Sequence, residues 1–271
     1  MNKIEKITSR DNRRLIDLRK IRDGKINDKI FIEGRRLAAE ALRSNIEIRY
    51  CFVAEGFHDI ELAAAAAERG ALVCEVPERL FRSVADTRQP QGIIIIAERP
   101  LFDIDSISLR IASARLPIVV FLKEINNPSN LGAIVRTAEA AGAIGVIVSK
   151  GSADVFSPKA LRSAMGSSFR LPVWENAEFS EVLGWAKVHD LVTVAADILG
   201  TSSYTDIDWR IPSLLIFGSE AHGLGELELA AIDKTVLIPM ENGVESLNLA
   251  VSAGIILFEA RRQKHFARET R

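Results

Sequence analysis

Residues that could cross-link the chain or bind a metal are scarce: two cysteines, Cys51 and Cys74, and four histidines in 271 positions. With no CxxC spacing, these exclude a disulfide framework, offer no metal site, and suit a reducing compartment. Long apolar runs are missing too. The longest fall short of the roughly 20 residues that a membrane-spanning helix needs, and the opening residues are too polar for a secretory leader. No membrane span and no export are therefore expected, and the cytoplasm is the expected location. Nor is there a large charge of one sign, since the net charge of −1 excludes a protein that coats nucleic acid by bulk charge. A fixed-period repeat and low-complexity tracts are absent, which excludes a solenoid and leaves no basis for disorder. No GxGxxG follows an early strand with an acidic residue about 20 positions on, so the usual signature of a Rossmann cofactor domain is missing.

What is present is a 48% apolar composition, enough to bury the core of one large or two ordinary domains. Charge is unevenly spread. Residues 1–36 hold twelve basic side chains against six acidic ones, a local excess suited to RNA.

Within that stretch Leu15, Ile16, Leu18 and Ile21 mark an amphipathic helix that begins near Ser9 or Asp11. Strands at 30–32, 48–54, 71–76 and 92–97 alternate with helices at 36–43 and 60–68, predicting a compact α/β unit. Residues 98–117, bracketed by Pro100 and Pro117, read as a linker with a short helix. Beyond them the β-branched runs 118–122 and 145–148 suit buried parallel strands, with a crossover helix at 133–141 between them. Further strands at 171–174, 191–196, 213–217 and 235–238 precede a closing helix at 246–262. The whole reads as an α/β protein whose second part carries a mostly parallel sheet.

Three late glycine-containing loops carry the candidate chemistry. Ligands of parallel α/β sheets bind beyond the carboxyl ends of the strands, so loops that follow three strands can share one crevice. The first is Asn127-Pro128-Ser129-Asn130-Leu131-Gly132-Ala133-Ile134-Val135-Arg136, where Ser129 or Asn130 can cap a helix and Arg136 lies nearly two turns on. The second is Phe217-Gly218-Ser219-Glu220-Ala221-His222-Gly223-Leu224. In the third, Ile238-Pro239-Met240 leads through Gly243 to Ser246-Leu247-Asn248. There Ser246 reads as a helix cap, while Asn248, inside an apolar helix, needs a polar partner. Taken singly, each loop is also what an ordinary capped helix or turn would show.

In this order and spacing the three loops resemble the signature motifs of the SpoU/TrmH family, the ribose 2′-O-methyltransferases of the SPOUT class. The resemblance runs over 118–262 and includes the intervening segment Pro158-Lys159-Ala160-Leu161-Arg162 through Arg170. More loosely, Ile7-Thr8-Ser9, Asn12 and Phe31-Ile32-Glu33-Gly34-Arg35-Arg36 resemble the family's L30e-like substrate-binding domain. The implied layout is an L30e-like domain at 1–99, a linker at 100–116, and a trefoil-knotted methyltransferase domain at 117–271. The family also implies S-adenosylmethionine as cofactor, no metal, and a homodimer that completes the site.

Carried over one position at a time, the resemblance assigns chemistry to Asn130, Arg136, Glu220, Ser246 and Asn248. It assigns grip on the cofactor's adenosine to Gly218, Ile238, Met240 and Leu247. Arg10, Arg13 and Arg14 of the basic helix, with Lys159, Arg162 and Arg170, are the RNA-contact candidates, because Lys and Arg hold phosphates without reading sequence. A guanidinium, with a pKa of about 12.5–13.8, is a poor general base near neutral pH. Arg136 therefore either holds an RNA phosphate that takes the proton or sits in a site that makes it a base. Asn127 stands where many relatives carry Asp, and Glu241-Asn242 lengthens the third loop. The expected substrate is ribosomal RNA, for housekeeping modification or for antibiotic resistance, with transfer RNA as an alternative. A non-catalytic RNA-binding or ribosome-assembly protein is the competing class, and a relic of that kind should have lost one of the five chemistry residues, all of which are present.

Overall fold

The computed structural model describes residues 4–269, with side chains as far as Lys264; Lys3, counted in the basic excess, lies outside the described residues. The chain runs β1 (Glu5–Lys6), α1 (Arg13–Arg22), β2 (Lys29–Glu33), α2 (Arg35–Arg43), β3 (Ile48–Ala54), α3 (Ile60–Glu68), β4 (Leu72–Val76), α4 (Glu78–Val84) and β5 (Ile93–Glu98). It continues through α5 (Ile104–Ser113), β6 (Ile118–Leu122), α6 (Pro128–Ala141), β7 (Gly145–Ser149), α7 (Pro158–Ala164), a short 3-10 turn (Ser167–Phe169), β8 (Val173–Ala177) and α8 (Phe179–Val188). β9 (Val192–Ala196), β10 (Ser202–Ser203), β11 (Ser213–Phe217), α9 (Glu226–Ala230), β12 (Lys234–Leu237) and α10 (Leu249–Glu269) complete it. None of the helices among the described residues is long and apolar enough to cross a membrane.

Two compact units form. The first holds residues up to Leu101 together with Asp154–Arg170. Its five-stranded sheet has the order β1-β4-β3-β5-β2, with β3 parallel to β4 and antiparallel to β5. Leu15, Leu18 and Ile21 of α1 enter its core beside Phe31, Phe52 and Phe81. The helix starts later than the sequence suggests: Asn12 is the cap, its side chain accepting from the Arg14 N–H, rather than Ser9 or Asp11. Buried Glu33 anchors a loop of the same unit, accepting the N–H groups of Asp86 (2.7 Å) and Thr87 (3.2 Å) and the Thr87 hydroxyl. Cys51 and Cys74 are buried free thiols, and burial pushes their pKa values up to about 12 and about 11, which keeps both in the unreactive thiol form.

The segment 154–170 falls inside the region that resembles a methyltransferase domain, yet it packs with the first unit. Arg99 pairs with Asp154 at 2.8 Å, Arg162 with Asp86 at 2.7 Å and Arg170 with Glu40 at 2.7 Å, while α7 packs on β2. Sequence periodicity is blind to such an assignment because it reports which face of a helix is apolar, not which sheet covers that face.

The second unit holds Phe102–Ala153 and the residues from Leu171 onward. Its sheet has the order β10-β12-β9-β11-β6-β7-β8, and every neighbouring pair is parallel. Strands β6, β7 and β11 are buried along their whole length, as expected when helices cover both faces. Because all strands run the same way, every loop that follows a strand emerges at one edge. From Phe102 on, the region read as a linker is part of this unit. Ile107 of α5 is fully buried in its core, and the Ser108 hydroxyl accepts from the Trp185 indole N–H at 3.0 Å and meets the His189 ring at 3.1 Å.

α10 packs along α6. Near its end the Lys264 ammonium reaches inward to donate to the carbonyls of Leu116 (2.8 Å) and Pro117 (3.4 Å), and burial pulls its pKa down to about 7. Between about pH 7 and the ordinary lysine pKa near 10.5, the unfolded chain holds a proton that the folded chain has released. Stability therefore rises with pH across that window, and the cost is borne in full below it. Thermal and denaturant unfolding should show a gain of up to about 4 kcal/mol from pH 7 to 10.5 that Lys264→Met does not share. Equal slopes for the two proteins would contradict this.

Candidate active site

The three glycine-containing loops follow β6, β11 and β12 and so leave the sheet at its shared carboxyl edge. The first begins with a cap that sequence reading placed two or three residues late. Asn127, not Ser129 or Asn130, caps α6: its side chain accepts from the Ser129 N–H at 3.0 Å, and Pro128 occupies the first turn, where no N–H is needed. Asn130 is thereby left free to act beyond its own helix.

The second loop is a tight reversal. Ser219 and Gly223 exchange both backbone hydrogen bonds, at 3.1 and 3.0 Å, and a Cβ on Gly218 would lie 2.3 Å from the Gly223 carbonyl carbon. Only glycine fits at 218. Glu220 sits exposed near the tip of this reversal. In the third loop Asn242 and Gly243 both adopt left-handed backbone, with φ of +56° and +71°, and the Val244 N–H donates to the Glu241 carbonyl. That is the Asn-Gly type I′ pattern, so the extra length of this loop closes as a turn. The helix that follows starts at Leu249. Asn248 is its cap, accepting from the Ala250 N–H at 3.0 Å, and Ser246 is an exposed residue before it whose side chain makes no hydrogen bond among the described residues. The expectation that Ser246 caps the helix, with Asn248 inside it, is thus corrected.

The loops meet through their polar side chains. The Asn130 amide donates to the Glu220 carboxylate, and its carbonyl oxygen accepts from the Asn248 amide at 3.2 Å. An ionised carboxylate only accepts, so Glu220 sets the direction of the whole chain. Asn130 must turn its NH2 to Glu220, which turns its oxygen to Asn248, which frees the Asn248 oxygen to cap α10. Side chains 90 and 118 residues apart in sequence are locked in one orientation.

A family model described as the SpoU rRNA methylase family matches residues 117–258, which include all three loops. The chain belongs to this family. A second model, the MRM3-like substrate binding domain, matches residues 11–95. Among similar proteins, the 23S rRNA (uridine(2479)-2′-O)-methyltransferase of Streptomyces viridochromogenes is 34% identical over 197 residues, covering 71% of this chain and 67% of that protein. The 23S rRNA (guanosine(2553)-2′-O)-methyltransferase RlmP of Bacillus subtilis is 29% identical, covering 95% of this chain and all of that protein. A crystal structure of an AdoMet-bound rRNA methyltransferase from Sinorhizobium meliloti aligns with a TM-score of 0.82 at 30% identity, over 96% of this chain and 98% of the other.

In this SpoU chain not every expected residue joins the bridge. Arg136 is exposed and makes no hydrogen bond or ion pair among the described residues. Six residues along a helix rotate by roughly 240°, so Arg136 points about 120° away from Asn130 and roughly 9 Å further along α6. Gly218 is buried, whereas Ile238, Met240 and Leu247 are half-buried and absorbed into neither core. Of the RNA-contact candidates, Arg10, Arg13 and Lys159 are exposed. Arg14 is engaged internally, paired with Glu5 and lying 5.9 Å from the Tyr50 ring centre, and Arg162 and Arg170 are engaged with Asp86 and Glu40. Sequence reading missed Lys123, which binds Glu124 at 3.0 Å and Glu228 at 3.2 Å and so ties the end of β6 to the helix behind the second loop. A lysine at the end of an apolar strand is the one local signal it leaves.

Proposed function

We propose that this protein transfers the methyl group of S-adenosylmethionine to a ribose 2′-hydroxyl of ribosomal RNA. The observation that carries the reading is the Glu220–Asn130–Asn248 chain, which draws three separate loops to one point at the carboxyl edge of a parallel sheet. The residues present fit the cofactor. Gly218 closes a turn too tight for any side chain, and the half-buried faces of Ile238, Met240 and Leu247 suit a flat nucleoside. When bound, S-adenosylmethionine supplies a methyl group already activated by a sulfonium. The protein's part is to place the hydroxyl in line and to stabilise charge that develops on its oxygen. Asn130, held from both sides, orients the ribose; Arg136, exposed and without a partner among the described residues, holds an RNA phosphate beside the hydroxyl, and that phosphate accepts the proton. Ser246, exposed ahead of Asn248, lines the same edge.

Arg136 points away from the bridge of its own chain, and this supports a homodimer in which each Arg136 serves the partner's bridge. Exposed Val251 and Phe258, one face of α10 at i and i+7, flank the seam where α10 lies on α6 and give a second copy an apolar surface. Light scattering should report twice the chain mass. Mixing Arg136→Ala with Asn130→Asp protein should restore activity that neither has alone. The trefoil knot belongs to the same reading. Its support is that β11 inserts between β9 and β6, both formed earlier in the chain, and that α10 then returns to α6. In the first unit, exposed Arg10, Arg13 and Lys159 contact RNA phosphates, and the enzyme works in the cytoplasm, where its substrate is.

The decisive experiment incubates the protein with separated ribosomal and transfer RNA fractions and methyl-labelled S-adenosylmethionine. The expected product is an alkali-resistant 2′-O-methyl linkage in ribosomal RNA. Label on a base, or in transfer RNA alone, would overturn the proposal.

A further inference from the structure

β9 lies between β11 and β12 in the parallel sheet. The loop that follows it therefore emerges between the loop bearing Gly218 to Gly223 and the loop bearing Ile238 and Met240. Its first residue is Asp197, half-buried and fixed by three local hydrogen bonds. The Asp197 N–H donates to the Val236 carbonyl at 2.9 Å, its carbonyl accepts from Gly200 at 3.1 Å, and its Oδ1 accepts from the Leu199 N–H at 2.8 Å. Gly200 presses this loop onto β12 so closely that a Cβ there would lie 2.4 Å from the Val236 carbonyl carbon. Asp197 is held, not merely present.

The other carboxylate oxygen, Oδ2, makes no hydrogen bond or ion pair among the described residues, and it lies 3.7 Å from where a side chain on Gly223 would begin. Oδ2 is not sealed from solvent, so it stands open to accept a hydrogen bond from a ligand in exchange for water. If this edge holds the cofactor, Asp197 stands on the side of the nucleoside-gripping loops rather than at the bridge. Glu220, near the tip of the second loop, meets Asn130, whereas Asp197 adjoins the base of that loop at Gly223, and its backbone is bonded to Val236, two residues before Ile238. Two vicinal hydroxyls match a carboxylate oxygen, and an acidic side chain past a strand of an α/β sheet takes ribose hydroxyls in this way.

We propose that Asp197 is a cofactor-specificity residue whose carboxylate accepts hydrogen bonds from the ribose hydroxyls of S-adenosylmethionine. The proposal rests on the reading of this edge as the cofactor site.

Asp197→Asn keeps an oxygen for the Leu199 N–H and removes the charge. Calorimetric titration of the full chain compares S-adenosylhomocysteine with its 2′-deoxyribose analogue on wild type and variant. The variant should bind S-adenosylhomocysteine about 10- to 100-fold more weakly, the loss expected for a charged hydrogen bond. Wild type should bind the deoxy analogue more weakly by a similar factor, and the variant should barely distinguish the two ligands. Wild type that is indifferent to the missing hydroxyl would overturn the proposal, and that result does not depend on how the variant folds. So would a variant that matches wild type, or one that discriminates as strongly as wild type does. Folded wild type that binds neither ligand would overturn the reading of the site itself, an outcome distinct from the other three.

Discussion

Arg136→Ala is expected to lower methyl transfer to RNA by at least about 10²- to 10³-fold, the usual loss when one group that stabilises developing charge is removed. Thermal stability should stay within about 0.5 kcal/mol of wild type, because the side chain is exposed and holds nothing among the described residues. That combination separates function from folding. Arg136→Lys keeps the charge but gives up the planar fork that holds a phosphate through two parallel hydrogen bonds, so it should recover only a fraction of the activity. A single-turnover assay with saturating cofactor, paired with a melting curve, makes the comparison. Undiminished transfer by Arg136→Ala would remove the residue from the mechanism.

Asn130→Asp should cost about 10²-fold in the same assay, the scale on which misplacement of a reacting group is felt. The substitution sets a carboxylate against Glu220 where an NH2 donor stood, so the bridge loses its charge-assisted bond and gains a repulsion. Asn248 keeps an acceptor and stays attached. Adding Glu220→Gln returns a donor to the pair, and the double variant should regain part of the lost rate. Recovery would show that the bridge acts by holding geometry. If Asn130→Asp were fully active, the bridge would be a bystander.

Much of this molecule was legible in advance, for reasons that particular residues make clear. The strands at 118–122 and 213–217 stand where their apolar runs predicted, because a parallel strand covered on both faces has little choice but a continuous apolar sequence. The three loops could be marked because their glycines and polar residues interrupt those runs at the strand ends. Capping was read less well. Ser and Asn at neighbouring positions compete on nearly equal terms to cap a helix, and the outcome at Asn12, Asn127 and Asn248 depended on where the backbone first turned helical. α5, expected within a linker, became core because Ile107 found a place against the start of β7, where a Cβ on Gly145 would lie 2.8 Å from it.

The amino-acid order by itself determined the kinds of element, the three loops and the polar residues each carries, since these follow from local spacing and from what glycine, proline and asparagine permit. Tertiary structure alone decided which of those residues touch. Glu220, Asn130 and Asn248 form one directed chain only because parallel strands release their loops at a common edge. It also decided that Asp197 stands between two of those loops, that 154–170 joins the first unit, and that Arg136 turns outward. Each of these is a matter of which surfaces meet across tens of residues, and no local pattern records that.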